Sequence, residues 1–295
     1  MTRLHLTLLV LVNVLWGFNF VAGKTGTDAF GPLLFITLRF AVVLVLLAPF
    51  LRRVPGQMRE MIGLGLVLGI GHYAFMFYAI HVAGSLSSVA IASQLTVPFS
   101  TILAIVLLGE RVRLIRALAI AASFGGVVII GFAPIGGPDH LLALGLTTIA
   151  SGAMATAAIL MRRLKGVGVF NLQGWIALCA TLAMSVLTLV LERPDWARIA
   201  AVPYGDYWSV LYSAVGATIV GHGLLYWLLQ RYEVTEIAPF ITLSTLFAIG
   251  FGVWLAGDAL TARIVLGGAL TLVGVTVIAI RNAARKTPSG MRTPR

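Results

Sequence analysis

The sequence predicts an all-α integral membrane protein whose ten transmembrane helices form two inverted five-helix repeats. Three observations carry this prediction: the composition, a series of long apolar segments and an internal repeat. Hydrophobic residues make up 59% of the 295 residues and charged residues only 11%, and the mean hydropathy is +1.00. A soluble domain carries roughly 25% charged residues. The composition therefore excludes a soluble globule.

Apolar segments long enough to cross a bilayer as helices, about 17–25 residues each, occur ten times along the chain. Polar or turn residues separate them. The first segment is longer than the core of a typical signal peptide and lacks a convincing cleavage site, so we expect it to be retained. The predicted spans lie near 4–23, 32–51, 61–80, 87–108, 117–133, 141–161, 169–191, 207–229, 236–256 and 264–280.

Lysine and arginine residues are distributed unevenly between the two sides of these spans. With the amino terminus in the cytoplasm, 16 of the 21 fall on the inner side and 4 on the outer side, and Arg39 lies within a span. Cytoplasmic loops carry such an excess, so we predict that both termini are cytoplasmic. The net charge of +11 then requires no nucleic-acid partner. The basic tail at 282–295 is expected to contact anionic membrane lipids.

The two halves of the chain resemble each other. Gly71-His72 is matched by Gly221-His222, 150 positions later, and further matches follow at an offset of 148. A five-span unit has an odd number of crossings, so the copies, placed at 1–135 and 136–281, must enter the membrane in opposite directions. Inverted repeats are typical of transporters, with the substrate site between the copies. The later matches pair Ala90 with Ala238, Gly109-Glu110 with Gly257-Asp258, and GVVII at 126–130 with GVTVI at 274–278.

The stretch WGFNFVAGKT at 16–25 contains Gly-Lys-Thr, as a phosphate-binding loop does. That loop needs four residues between its two glycines and lies between a strand and a helix, whereas five residues separate Gly17 from Gly23 in an apolar segment. Read as a helix, the stretch places Trp16, Asn19 and Phe20 on one face. Because a buried asparagine is costly against lipid, we expect this face to border a substrate cavity. Hydrogen bonding between packed helices is the alternative for Asn19.

Arg39 lies eight residues into the second span, about 12 Å deep at 1.5 Å per residue. A charge at that depth should face the protein interior and have a partner. No carboxylate is predicted at a matching depth, so backbone carbonyls, water or an anionic substrate group are the candidate partners. A purely structural role is the alternative to substrate binding.

His72 and His222 occupy matching positions in the two repeats. A neutral imidazole can pair with an ammonium group, a carboxylate or a proton, and histidine is rare at lipid-facing positions. We therefore predict that both rings line the substrate site, with Tyr78 and Tyr226 nearby. The alternative is a pair of core histidines whose hydrogen bonds are satisfied within the protein.

Polar residues in spans 4 and 9 complete the predicted site. Ser93, Gln94, Thr242 and Ser244 are candidates for substrate binding, although packing hydrogen bonds are an equal alternative. Pro98 lacks an N–H group, so it should kink span 4 and serve as a hinge.

Taken together, the two five-span units, WGFNFVAGK at 16–24, Arg39 within span 2 and Gly-Glu-Arg at 109–111 resemble the EamA type of the drug/metabolite transporter superfamily. Within it the sequence is similar to the YddG-type bacterial exporters of aromatic amino acids. The resemblance implies a ten-helix basket around a central cavity, in the bacterial inner membrane. We expect a monomeric secondary transporter that exports amino acids, aromatic or otherwise apolar, and similar small metabolites by alternating access.

All ten acidic residues fall in loops or at the ends of spans. Coupled carriers usually place a carboxylate inside the membrane, so facilitated transport is expected, with proton-coupled antiport through a histidine as the alternative. A membrane-embedded enzyme is disfavoured because His-Glu-x-x-His and Gly-x-Ser-x-Gly motifs are absent. The one cysteine, Cys179, excludes a disulfide framework. No cofactor or metal is expected.

Overall fold

The computed structural model describes residues 2–108, 114–134, 137–229, 231–232 and 234–284. Every regular element in these ranges is helical. The helices are α1 (Arg3–Phe30), α2 (Pro32–Leu47), α3 (Met58–Val82), α4 (Leu86–Ser93), α5 (Thr96–Leu108), α6 (Leu114–Gly131), α7 (Gly137–Arg163), α8 (Val169–Glu192), α9 (Trp196–Ala200), α10 (Tyr204–Leu229), α11 (Val234–Ile241), α12 (Leu243–Leu255) and α13 (Ala262–Ala284).

Nine helical segments of the described chain are long and apolar enough to cross a membrane, counting α4 and α5 as one segment. Predicted spans 1 to 8 and span 10 each fall on one of these segments. The region predicted as span 9, residues 236–256, forms two shorter helices, α11 and α12. A count of nine long segments confirms the all-helical membrane class, and the tenth crossing stays a prediction.

Span 4 and the region of span 9 are both interrupted, and the interruptions lie at matching repeat positions. The first falls at Gln94, whose carbonyl accepts from the N–H of Val97 at 3.0 Å, because Pro98 has no N–H to offer it. The second falls at Thr242, 148 positions later, where the carbonyl accepts from Thr245 N–H at 3.1 Å. The residue that matches Pro98 at this offset is a leucine, so proline is not required for the second break.

Buried polar side chains from neighbouring helices hydrogen-bond to both interruptions. Asn13 of α1 is fully buried, and its Oδ1 accepts from the backbone N–H of Ser244 at 3.0 Å. That N–H lies in the first turn of α12, where intrahelical acceptors are missing. Ser151 of α7 places its Oγ 3.3 Å from the carbonyl oxygen of Ser93, at the end of α4. Each break is therefore stabilised from the helix that packs beside it.

Helix packing brings the two halves of the chain together along their length. The α1 helix packs against α10 and α12, and α7 packs against α3, α4 and α5. Two further pairs, α2 with α8 and α6 with α13, join equivalent parts of the two halves. The α6–α13 approach is close because glycines face each other there: Cβ atoms on Gly126 and Gly267 would each collide with the opposite backbone. Small residues permit this kind of backbone approach between membrane helices.

Two carboxylates, one at the end of α8 and one in the segment after α12, cap helices elsewhere in the chain. Glu192 accepts from the backbone N–H groups of Leu33 and Leu34 at 3.2 and 2.8 Å, in the first turn of α2. Asp258 is 9% exposed and accepts from the segment that starts α4. Free N–H groups at a helix start favour an acidic partner. Both carboxylates thus tie together segments that are distant in sequence.

Candidate functional site

A cavity of about 250 Å³, the central cavity, lies between the two halves of the chain. Its wall is mainly apolar with a few polar groups, as in small-molecule sites. Eight of the twelve residues predicted to bind substrate line it: Trp16, Asn19, Phe20, Arg39, His72, Ser93, His222 and Ser244. The other described residues in its wall are Tyr73, Met76, Phe77, Ile80, Thr96, Met154 and Ala217.

A larger cavity of about 720 Å³ lies at the end of the molecule, between the α1–α2 turn, α3 and the segment after α8. Its wall includes Tyr78, His81 and Glu192. We take the smaller central cavity as the candidate site, because the buried polar groups of both repeats converge there. The larger cavity is a space among helix ends and loops, and Glu192 already caps α2 from its wall.

The α1 face contributes Trp16, Asn19 and Phe20, as the helical spacing predicts. The indole N–H of Trp16 donates to the carbonyl of Ala217 at 3.1 Å, and Asn19 Oδ1 accepts from the hydroxyl of Ser213 at 2.6 Å. Asn19 therefore lines the cavity and also forms a hydrogen bond with a neighbouring helix. These bonds fix α1 against α10 with the aromatic rings facing the cavity.

The two histidines are held by backbone carbonyls. His72 Nδ1 lies 3.0 Å from Ala150 O, and His222 Nδ1 lies 3.2 Å from the carbonyl oxygens of Ala217 and Thr218. A carbonyl only accepts, so Nδ1 carries the hydrogen and Nε2 is the acceptor nitrogen of each neutral ring. Both histidines lie in π-helical stretches, residues 67–74 and 212–222, a helix form that is frequent at functional sites.

Arg39 is buried in the cavity wall with 2% of its surface exposed. Its Nε and Nη2 donate to the Thr218 hydroxyl at 3.2 and 2.8 Å, and the rings of Phe40, Tyr73 and Phe77 lie 5.2–5.4 Å from its Cζ. The expected partners were carbonyls, water or an anionic substrate group. The acceptor that the protein supplies is a hydroxyl on α10 and not a backbone carbonyl, while water and an anionic substrate group stay predictions.

Four of the predicted residues lie outside the wall of the central cavity. Tyr78 is six residues beyond His72, which at about 100° per residue puts it on another side of the helix, and it is 44% exposed in the larger cavity. Gln94 donates through Nε2 to the hydroxyl of Thr245. The Tyr226 hydroxyl, one turn beyond His222, donates to Met161 Sδ at 2.7 Å. Thr242 forms the interruption before α12.

The wall residues outside the predicted set are mostly members of α3. Met76 and Ile80 follow His72 at helical spacing, so the periodicity of that helix was a usable signal for them. Met154 and Ala217, on α7 and α10, carry no such signal. Among the described residues, no group of three or more histidine, cysteine, aspartate or glutamate side chains is placed to hold a metal ion.

Two named relatives and one solved structure are similar to this chain over nearly its whole length. A protein of Salmonella typhimurium named "Probable amino-acid metabolite efflux pump" is 29% identical over 97% of this chain and 98% of its own length. The protein of that name from Escherichia coli is 28% identical over 94% of this chain and 95% of its own length. A solved crystal structure with 18% identity covers 97% of this chain and 99% of its own with a TM-score of 0.64, which shows a shared fold.

The model of the EamA-like transporter family matches the chain twice, at residues 3–132 and 141–280. These two matches cover most of the sequence, one in each half. The protein is a multi-pass membrane transporter rather than an enzyme, and it belongs to the EamA-like transporter family.

Proposed function

We propose that this transporter exports amino acids, aromatic or otherwise apolar, and similar small metabolites across the bacterial inner membrane by alternating access. The observation that carries the proposal is the central cavity, where aromatic side chains and buried polar groups from both halves meet. The names of the Salmonella and Escherichia relatives support export of amino-acid metabolites. We also propose cytoplasmic termini, from the charge distribution, and a monomer.

Alternating access would arise from rocking of two inverted repeats around the cavity. The helix pairings support this arrangement: exchanging the two halves converts the α1–α12 contact into the contact of α7 with α4 and α5, and converts α1–α10 into α7–α3. In the same exchange α2–α8 and α6–α13 map onto themselves. This is the pattern expected for two five-span units related by a twofold axis, with α11 and α12 together as the ninth span. The interruptions at Gln94 and Thr242, with Pro98 beside the first, supply places to bend.

We favour facilitated transport over proton coupling. The described residues that line the central cavity include no aspartate or glutamate, and such carboxylates are the usual coupling groups within membranes. Proton-coupled antiport is the second candidate, because His72 and His222 both border the cavity and imidazole can relay protons.

Purified protein in liposomes, offered a broad panel of amino acids and related metabolites with and without a pH gradient, tests the function. We expect saturable uptake with counterflow that persists without the gradient. Dependence on the gradient would favour the antiporter, and absence of flux for every compound would refute transport of this class.

Trp16→Ala and His72→Ala should each lower transport by about tenfold or more, because each removes part of the cavity wall at a cost of at least about 1.4 kcal/mol in substrate interaction. Trp254→Ala is the matched control, since that indole is 77% exposed and should not contribute. Unchanged transport in both cavity variants would remove these residues from the site.

Thr218→Val should reduce transport about 10- to 100-fold, because Arg39 lines the central cavity and would lose the hydroxyl that holds its guanidinium in place. Hydrogen bonds to a charged group contribute about 1.5–3 kcal/mol. The substitution keeps the side-chain shape but removes the acceptor for Arg39 Nε and Nη2. Thr218→Ser retains the hydroxyl and should behave like the wild type. Initial rates in liposomes, together with thermal unfolding of the purified variants, separate a local effect on Arg39 from misfolding.

A further inference from the structure

The hydrogen-bonding capacity of Arg39 is largely unused. Its Nε and Nη2 share a single acceptor, the hydroxyl of Thr218. Its Nη1 is buried and has no hydrogen-bond partner among the described residues. A guanidinium carries five N–H donors and keeps its charge in proteins. A buried donor group with this capacity is expected to bind an acceptor that the chain itself does not supply.

The side chains around Arg39 stabilise its positive charge but supply no anion to pair with it. The rings of Phe40, Tyr73 and Phe77 favour the positive charge through their faces, yet they leave the N–H donors unpaired. No carboxylate among the described residues pairs with Arg39, and none lines the central cavity. Charged side chains inside membranes are normally paired and mark the path of a substrate or ion. The positive charge is therefore available to a ligand.

The remaining wall of the central cavity discriminates between the two charged groups of an amino acid. The apolar part, including Trp16, Phe20, Met76 and Met154, suits a hydrocarbon or aromatic body. The polar part consists of hydroxyls, one amide and two imidazoles, which carry no negative charge. An ammonium group would meet the charge of Arg39 and no described counter-charge, whereas a carboxylate matches the guanidinium fork.

We propose that Arg39 binds the carboxylate of the substrate, and that the site requires this carboxylate but does not require an ammonium group. The inference rests on the proposed transport function and narrows its substrate class to small monocarboxylates with an apolar or aromatic body. Amino acids belong to this class through their carboxylate, and so do their N-acyl derivatives. The cavity volume of about 250 Å³ lies below the range of roughly 300–1,000 Å³ for drug-sized ligands, which favours small substrates.

Three matched probes test the requirement in wild-type protein reconstituted in liposomes: L-phenylalanine, N-acetyl-L-phenylalanine and L-phenylalaninamide. The first has both charged groups, the second only the carboxylate and the third only the ammonium. We expect the first two to be transported with KM values within about tenfold of each other. The amide should be transported about 10- to 100-fold less efficiently, the range set by a charge-assisted hydrogen bond. Transport of the amide as efficient as that of phenylalanine would overturn the proposal.

Arg39→Gln and Arg39→Lys test the residue itself. The glutamine variant should lose the 10- to 100-fold preference for carboxylates over the amide, and the lysine variant should retain part of it, because it keeps the charge without the bidentate fork. An unchanged preference in Arg39→Gln would overturn the assignment to Arg39. The wild-type probe series decides the substrate class even if the glutamine variant does not fold.

The same assay separates this inference from the proposed function. Absence of flux for all three probes and for the wider metabolite panel refutes transport of this class, and the carboxylate requirement with it. If the probes with and without a carboxylate are transported equally well, the protein is still a transporter of this class, and only the proposed role of Arg39 is overturned.

Discussion

Gly126→Leu should prevent the chain from reaching a stable fold. A Cβ at this position would lie 2.8 Å from the backbone nitrogen of Thr271 and closer still to the carbonyl oxygen of Gly267. Those are backbone atoms of α13, so no change of side-chain rotamer relieves the collision and the two helices must separate. Overpacking in a close-packed core costs about 1–3 kcal/mol, and more where the backbone must move. We expect little or no monodisperse protein by size-exclusion chromatography in detergent.

The neighbouring residue supplies a matched control. A Cβ on Gly125 would meet no other atom within 4 Å, so Gly125→Leu introduces the same side chain one position away without the collision. Gly125→Leu should give normal yield and a normal elution profile. Equal behaviour of the two variants would show that the α6–α13 contact does not depend on the absence of a side chain at Gly126.

Asp258→Asn should lower the thermal stability of the purified protein by about 5 °C or more. The carboxylate accepts from the Leu86 N–H at 3.1 Å, from both the N–H and the hydroxyl of Ser87 at 2.6 Å, and from the Ser85 hydroxyl at 3.2 Å. Asparagine would place an amide NH₂ against these donors. Losing charge-assisted bonds and leaving buried donors unpaired costs about 2–4 kcal/mol, and each kcal/mol corresponds to about 2–4 °C for chains of 150–250 residues.

Asp139→Asn is the matched control for Asp258→Asn, because Asp139 is an exposed acid in the first turn of α7. The interaction of Asp139 with the helix dipole contributes about 0.3–1 kcal/mol at most sites. The unfolding temperature of the Asp139→Asn variant should therefore change little. A drop of the same size in both variants would mean that the buried hydrogen bonds of Asp258 are not the source of its effect.

Most of the membrane architecture could be predicted because it depends on local sequence. A helix that crosses a bilayer needs about twenty consecutive apolar residues. Such segments can be recognised in the sequence without knowing which helices pack against them. The helical period likewise placed Trp16, Asn19 and Phe20 on one face, and all three line the central cavity. His72 and His222 occupy matching positions of the two repeats, and both line the central cavity. Their shared location could be predicted because similar sequences fold into similar structures.

The interruption at Thr242 could not be predicted from the residues around it. Pro98 predicts the first break, because proline has no backbone N–H group to donate within a helix. At the second break the matching residue is a leucine, and the start of α12 is instead hydrogen-bonded by Asn13, 231 positions away. A helix of uniform hydropathy gives no sign of such a partner.

The membrane class, the apolar segments, the repeat and the cavity-facing side of α1 could all be predicted from the amino-acid sequence, because hydropathy and helical period depend on a few neighbouring residues. The partner of Arg39, which is Thr218, 179 positions away, could be seen only in the folded protein, and so could the placement of Tyr78 and Tyr226 outside the central cavity. Those outcomes depend on how helices pack and rotate against each other. Side-chain shape and hydrogen bonding between distant segments set that packing, so it exists only once the chain has folded.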